Sequence, residues 1–412
     1  MSRGLRAAIA CLLGALAVGV ALAGCGNGKQ SAVENGSDTL TIYSSLPLQG
    51  PDRGRARDMV NAIKLALLEA HGKIGPFNIT YVSLDSATPE AGTWTPDKVL
   101  DNARQAVRDL NAIAYIGDRD SAATALSLPL TNEGNILQVS PSSTYDGLTR
   151  ASRRQGEPER FYPSGERTFG RVVPADHVQA SALVGYMKAS GVHSLALLAD
   201  REIYGGGIAD QVEKAAAKQG IAVFDRGRID ASKGDLSGAA RKVAETDADA
   251  FLYAGTTDTG AARIFSAVAA AAPHMLLFGP AAVADHALLS GLAPAVQRRI
   301  RVTTPALPAQ LLPSSARTFR DRFRVTFGRQ PAPEALQAYE AADAVLYAIR
   351  AAGSKGNDRR AVTDEFLAIH NRHSVLGSYS IDRFGDTSLS TYAGNRVRHM
   401  RFVLDKVLKV SG

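Results

Sequence analysis

Short apolar runs alternate with longer stretches of helical period along most of the chain beyond Asp38, a pattern that predicts β-α units feeding a mostly parallel sheet. Leu40-Thr41-Ile42-Tyr43 is the first expected strand. Val60, Ile63 and Leu67 recur at helical spacing behind it, and Asn78 to Val82 supplies a second strand. Thr95-Pro96 opens the next helix, since a first-turn Pro gives up only an N–H that has no helical partner, and Val99, Ala103, Val107 and Leu110 mark its buried face. Ala112 to Gly117, a helix over Ser121 to Asn132, and Asn135 to Val139 complete the series. Residues 145–168 bring charge, Gly and Pro without a periodic apolar face, which reads as a surface loop near a domain boundary.

A second series follows Pro174. Its expected strands are 194–198, 221–224, 250–254 and 275–278, with helices centred on Val184, Val212, Val243 and Ile264 between them. The tail differs: a strand at 301–304, long helices over 314–327 and 334–352, then strand-like runs near Val375-Leu376-Gly377 and Arg401 to Leu404. If those helices pack on the first lobe and the last strands on the second, the chain crosses between lobes three times. The expected fold class is therefore α/β, two doubly wound parallel-sheet lobes joined by a three-crossover hinge. Lobe 1 takes 38–173 plus 303–374, and lobe 2 takes 174–302 plus 375–412.

Composition narrows the picture. A chain of 412 residues with 45% hydrophobic and 21% charged residues has the make-up of a folded soluble body of two or three domains, which excludes wholesale disorder and a polytopic membrane protein. Its formal charge of +7 is spread along the sequence without aromatic interleaving, so no nucleic-acid partner is expected.

The first residues follow a separate logic. Arg3 and Arg6 precede an uncharged run from Ala7 to Ala23 that ends in Leu22-Ala23-Gly24-Cys25, and this resembles a bacterial lipoprotein signal. The resemblance implies removal of residues 1–24, lipidation of Cys25, a flexible tether over 25–37, and a lipid-anchored, extracytoplasmic place in the cell envelope. Cys11 leaves with the signal, so no intramolecular disulfide is expected.

From about Asp38 onward the chain resembles the substrate-binding proteins of branched-chain amino-acid ABC importers, the Leu/Ile/Val class of type I periplasmic binding proteins. The resemblance rests on Gly50-Pro51, Ile116-Gly117 with Ser121-Ala122-Ala123-Thr124, Ser140-Pro141-Ser142-Ser143-Thr144, and Arg171-Val172-Val173-Pro174-Ala175-Asp176. Tyr204-Gly205-Gly206-Gly207, Tyr253-Ala254-Gly255 and Phe278-Gly279-Pro280 continue it in order. It implies a Venus-flytrap molecule whose lobes close on a small ligand and whose closed form docks on a permease. By the same resemblance Ser121, Ala122, Thr124, the backbone at Ser142 and Ser143, and Thr144 hold a ligand carboxylate, while Tyr204 covers the ligand from the second lobe with Thr256, Thr257 and Ala281 nearby. Strand ends feeding helix starts suit that task, because they present unpaired N–H donors and a positive dipole end.

Two positions depart from the family. The second-lobe acid that pairs with a substrate ammonium falls at Ala281 here, leaving Asp258 and Asp120 as the nearest substitutes in sequence. Arg55 stands where the family often carries an aromatic residue; it either pairs with Asp52 or Asp58, or meets an anionic ligand group.

Catalytic signatures are missing. The sequence contains no Gly-x-Ser-x-Gly, no Ser-x-x-Lys and no His-Glu-x-x-His, and His370 and His373 form an isolated pair expected at the surface. Asp210 breaks the spacing a dinucleotide loop would need after Gly205. The expectation is a binding protein and not an enzyme, with no cofactor and no metal, the expected partners being a small ligand and a permease, and a monomeric state. A sensor of the same fold that signals to a membrane partner is the alternative.

Overall fold

The computed structural model describes residues 38–410. The expected signal segment, Cys25 and the tether lie outside the described residues.

In the first lobe, β1 (Thr39–Leu46), β2 (Lys73–Ile74), β3 (Phe77–Asp85), β4 (Ala112–Gly117), β5 (Leu137–Ser140) and β6 (Phe169–Arg171) form a sheet in the order β2-β3-β1-β4-β5-β6. Its pairings are parallel apart from β2 with β3. Helices α1 (Arg53–Glu69), α2 (Pro96–Arg108) and α3 (Ser121–Glu133) make the crossovers. All residues of β4 are buried, as a central strand covered on both faces requires, and that is why it reads as an unbroken apolar run.

The second lobe begins with α4 (Asp176–Lys188) and continues through β7 (Ser194–Ala199), α5 (Ile203–Gln219), β8 (Ala222–Arg228), α6 (Ser237–Glu245) and β9 (Ala250–Ala254). Next come α7 (Ala261–Ala271), β10 (Leu276–Gly279), the short α8 (His286–Ser290) and α9 (Pro294–Gln297), and β11 (Ile300–Thr304). Then α10 (Ser314–Phe327), α11 (Ala335–Ala351) and α12 (Arg359–Leu367) return to the first lobe, where Phe319, Phe323, Val345, Ile349 and Phe366 join the core under β1 and β4.

The return to the second lobe comes later than 375. Val375, Tyr379 and Ile381 belong to the first core, and β12 (Arg372–Ser374) with β13 (Gly377–Tyr379) form a separate hairpin. Burying Tyr379 beside Glu340 of α11, to which its hydroxyl donates at 2.7 Å, holds this stretch on the first lobe. The second sheet gains instead β14 (Thr391–Arg398) and β15 (Arg401–Lys409), antiparallel at its edge, in the order β15-β14-β11-β10-β9-β7-β8.

Three crossings therefore run side by side, and they are stitched together. The Arg171 N–H donates to Gly385 O at 2.9 Å, and the Gln179 amide donates to Thr303 O at 3.2 Å. Together these join the first crossing to the third and to the second. Both sheets turn the carboxyl ends of their parallel strands toward the junction, where ligand sites form in open α/β sheets.

Candidate functional site

On the first-lobe side, three residues separate β4 from α3. Asp120 ahead of it gives no side-chain cap, so the first-turn N–H groups of Ser121 and Ala122 meet no protein acceptor among the described residues. Uncapped first-turn amides form an anion-binding end. The Ser121 hydroxyl oxygen accepts from the Tyr145 N–H at 3.3 Å, which ties the helix start to the loop after β5.

That loop is braced from within. Ser140 Oγ accepts from the N–H groups of Ser142 (3.3 Å) and Ser143 (2.9 Å), and the Thr124 and Ser143 hydroxyls lie 2.7 Å apart. Thr124 Oγ1 also accepts from Asp118 N–H at 3.2 Å, and the Ser142 hydroxyl donates to Arg119 O at 2.8 Å. The expected ligand roles of Thr124, Ser142 and Ser143 therefore need correcting: their hydrogen-bonding capacity is used inside the lobe, and they hold Ser121 and Thr144 in place. Below them Ser127 donates to the carboxylate of Asp118 at 2.6 Å, and burial pushes that carboxyl up to about 7 against the pull of the hydroxyl.

The second lobe meets this surface with the first turn of α5. A side chain at Gly207 would collide with the Tyr145 ring, so the helix start approaches the first lobe only because this position is glycine, while one at Gly205 would collide with Asp200 of its own lobe. Tyr204 is 9% exposed, lies close to the backbone of Ala282, and burial raises its hydroxyl well above the usual phenol range. The Thr257 N–H donates to Ala282 O at 3.3 Å, and the buried Thr257 Oγ1 has no partner. Thr256 is held in its own turn by Thr259, its N–H donating to that hydroxyl at 3.0 Å. Ala281 opens a short 3₁₀ turn and presents no charge.

A charged rim surrounds these residues. Arg55 pairs with Asp52 at 3.6 Å, with Glu334, and across the crevice with Asp285 at 3.7 Å. Of the two expected partners only Asp52 is used, because Asp58 is taken by Arg329. Arg119 pairs with Asp52 at 2.8 Å and stands 4.0 Å from Asp120. Burial raises the Asp120 carboxyl against the pull of Arg119, and Asp258 is raised by burial and by the facing carboxylates of Asp52 and Asp120.

The most informative group stands out in the sequence only as part of a motif. Asp176, the first residue of α4, is fully buried, and neither carboxylate oxygen has a hydrogen-bond partner. Its N–H donates to Thr144 O at 2.8 Å, and its carboxylate lies against the first turn of α5 near Gly207 and Tyr204. Asp146 stands close by, buried, with one oxygen 2.7 Å from His177 Nδ1 and the other unpartnered. Arg171, also fully buried, is the cation facing both, but its N–H groups are spent on Asp386 (2.8 Å), Tyr145 O (2.9 Å), Ser143 O (3.2 Å) and Thr149 Oγ1 (2.5 Å). Desolvation first and the Asp146 charge second push Asp176 up to about 8. In sequence an acid after Pro-Ala at a helix start reads as a dipole partner, and nothing in one chain reveals that its oxygens lack donors.

Known proteins share this architecture. The sequence pattern of a family described as periplasmic binding protein matches residues 39–392. The chain is 22% identical over 325 residues to an amino acid binding protein of Pseudomonas aeruginosa, covering 79% of this chain and 80% of that one. It is 24% identical over 365 residues to the Leu/Ile/Val-binding protein homolog 2 of Brucella abortus, covering 86% and 89%. In fold it is similar to a leucine binding protein from Thermotoga maritima, with a TM-score of 0.76, 21% identity and coverage of 90% and 99%. A solute binding protein of an ABC transporter from R. palustris in complex with benzoate gives a TM-score of 0.72 at 17% identity, with coverage of 91% and 98%. Two α/β lobes, a triple crossing between them and a match running from the first strand into β14 lead to one conclusion: the chain belongs to the periplasmic binding protein family.

Proposed function

We propose that this protein is the extracytoplasmic receptor of an ABC importer, which captures a small polar solute, an amino acid or a related carboxylate or amide, by closing its lobes and delivers it to a membrane permease. The observation that carries the reading is the juxtaposition at the crevice. The uncapped amides at Ser121 and Ala122 stand beside Tyr145, whose N–H donates to the Ser121 hydroxyl and whose ring packs against Gly207 in the first turn of α5, the turn that carries Tyr204. A carboxylate at the start of α3 would satisfy donors that have no acceptor, and the Tyr204 ring would cover what lies beside it. The relatives carry names that fit: amino acid and Leu/Ile/Val binding among the curated ones, leucine and benzoate among the solved structures.

Closure works by differential affinity. A ligand that touches both lobes binds the closed state better and shifts the open-closed population toward the form a permease engages. A panel of amino acids, amides and carboxylates, screened by thermal shift and small-angle scattering, tests this. A cognate ligand raises the melting temperature by the equivalent of about 2.7 kcal/mol at a hundredfold excess over Kd, and it shrinks the scattering radius at the same time. The proposal falls if no member of the panel does both.

A further inference from the structure

Away from the crevice, the second lobe holds a cationic hollow of its own. Between the start of α5 and the end of β8 lies a cavity of about 310 Å³, lined by Ala199, Gly206, Ala209, Arg226, Gly227 and Arg228. The crevice residues Ser121, Thr144, Tyr204 and Thr257 are not part of its wall. We propose that this cavity binds a tetrahedral oxyanion, phosphate or sulfate, between the guanidinium groups of Arg226 and Arg228. The inference is independent of the receptor reading and gives the lobe a second binding site.

The backbone shapes the hollow. Between Phe224 and Gly227, β8 has one residue more than β7 has between Ala196 and Leu198. Such a bulge bends the strand and re-aims its side chains. Arg226 lies within it and Arg228 just beyond it, and both border the same cavity. Opposite them stands Gly206, the fourth residue of α5. A methyl group there would be 2.7 Å from Nη2 of Arg228, so the guanidinium lies directly against the helix backbone. Glu202 ahead of α5 gives no side-chain cap, and the positive end of the helix dipole adds to the field of the two arginines.

The charges around the cavity do not balance. Arg226 pairs with Asp210 and, at 2.6 Å, with Glu213. Arg153 reaches the same two carboxylates from the loop after β5, at 3.3 and 2.7 Å. Arg228 is the third guanidinium, and it has no ion pair and no hydrogen bond among the described residues. Burial first, then the charges of Arg153 and Arg228, lower the Arg226 guanidinium below its ordinary range. Three cations around two anions leave one positive charge for a bound group to answer. The cavity wall itself carries two cations and no acid. Guanidinium forks donate to oxyanions through paired N–H bonds. A tetrahedral oxyanion offers each fork its own edge of two oxygens, whereas a carboxylate has one such edge. Glycine at 206 and 227 leaves room for the anion beside the backbone.

Calorimetry and thermal shift test this with sodium phosphate and sodium sulfate, each set against sodium chloride and sodium acetate at equal ionic strength and neutral pH. Expected are one oxyanion bound per chain and, at saturation, a melting temperature at least about 2 °C above the chloride control. Arg228→Gln should weaken phosphate at least about tenfold. Because Arg228 is exposed, the phosphate-free melting temperature of this variant should stay within about a degree of the wild type. Should it not fold, Gly206→Asp decides, since a carboxylate placed beside the Arg228 fork occupies the site and should abolish phosphate binding too. Glycerol phosphate run beside inorganic phosphate separates the sources. Tighter binding of the ester makes the ligand a phosphorylated solute, tighter binding of the inorganic ion makes it the free anion, and either supports the site. No binding of phosphate or sulfate, equal stabilisation by chloride or acetate, or undiminished phosphate binding in the variants overturns the assignment.

Discussion

The two walls of the crevice are built on opposite principles. On the first lobe the polar groups behind the start of α3 are matched: Thr124, Ser127, Gln138, Ser140 and Ser143 bond one another or Asp118, and the first amides of α3 are left over. On the second lobe the wall is nearly bare, with Ala281, Ala282 and three glycines, while the junction holds a carboxyl that nothing satisfies. A satisfied network is rigid and generic, suited to a carboxylate that many ligands share. An unsatisfied polar group is selective, because it penalises every ligand that fails to answer it. On the receptor reading proposed above, selectivity belongs to the junction and the second lobe, and general capture belongs to the first.

The largest effect that would break this contrast lies at Arg171. Replacement by Met leaves Asp386, Asp146 and Asp176 with less compensation in a buried place, and losing one member of such a network costs about 3–5 kcal/mol. A urea midpoint close to the wild type would show that the three crossings are not held by this guanidinium. Next in size is the contact set itself. Ser121→Ala should remove most of the ligand-induced thermal shift while leaving the ligand-free melting temperature nearly in place, and Tyr204→Ala should remove it too, from a ligand-free melting temperature lowered by the loss of a buried ring. An unchanged shift in both would remove the site from this crevice.

Much of the architecture could be read from the chain, and the reason is physical. Parallel strands buried on both faces, such as β4 and β9, leave unbroken apolar runs between helical patterns, so period and length suffice to place them. β14 escaped that reading: Gly394, Asn395 and Arg396 interrupt it, and a side chain at Gly394 would sit tight against the Tyr186 ring. The shift of the third crossing from 375 to the start of β14 has the same origin, since Val375 and Ile381 are apolar enough for either core and only tertiary packing decides between them. Of the site, the resemblance placed Ser121, Thr144 and Tyr204 at the crevice. It did not separate residues that face the crevice from those that brace it, which depends on where each hydroxyl finds its partner. Arg119 and Asp285 are placed by ion pairs with Asp52 and Arg55, distant in sequence, and Asp176 is set apart by carboxylate oxygens that lack partners; no local pattern encodes either.

The pH dependence of stability sharpens the contrast without any ligand. In the unfolded chain Asp176 ionises near its ordinary value of 3.8, whereas in the folded protein it holds its proton up to about 8. Between those values the folded state binds more protons than the unfolded state, so stability falls as pH rises through that window. Asp176→Asn removes this dependence. The variant should melt at a temperature close to the wild type near pH 4 and progressively above it toward pH 8, with the gap level beyond. A gap that stays constant with pH, or widens toward acid, would mean that the folded protein already stabilises the carboxylate.

The smallest expected effect concerns the rim. Arg55 reaches Asp285 across the crevice at 3.7 Å, but both side chains are partly exposed, and Arg55 keeps Asp52 and Glu334 on its own lobe. Such a pair is worth about 0–1 kcal/mol. Asp285→Asn keeps the capacity to accept from the Leu288 N–H, which the aspartate does at 2.8 Å, so α8 retains its cap while the ionic link is lost. The variant should therefore melt within about a degree of the wild type. Without ligand its scattering radius should be slightly larger, because one attraction favouring the closed state has gone, and the difference should vanish once ligand is bound. If the radius of the ligand-free protein instead shrank, the rim charges would be holding the lobes apart, and closure would depend on the ligand even more than the bare second wall suggests.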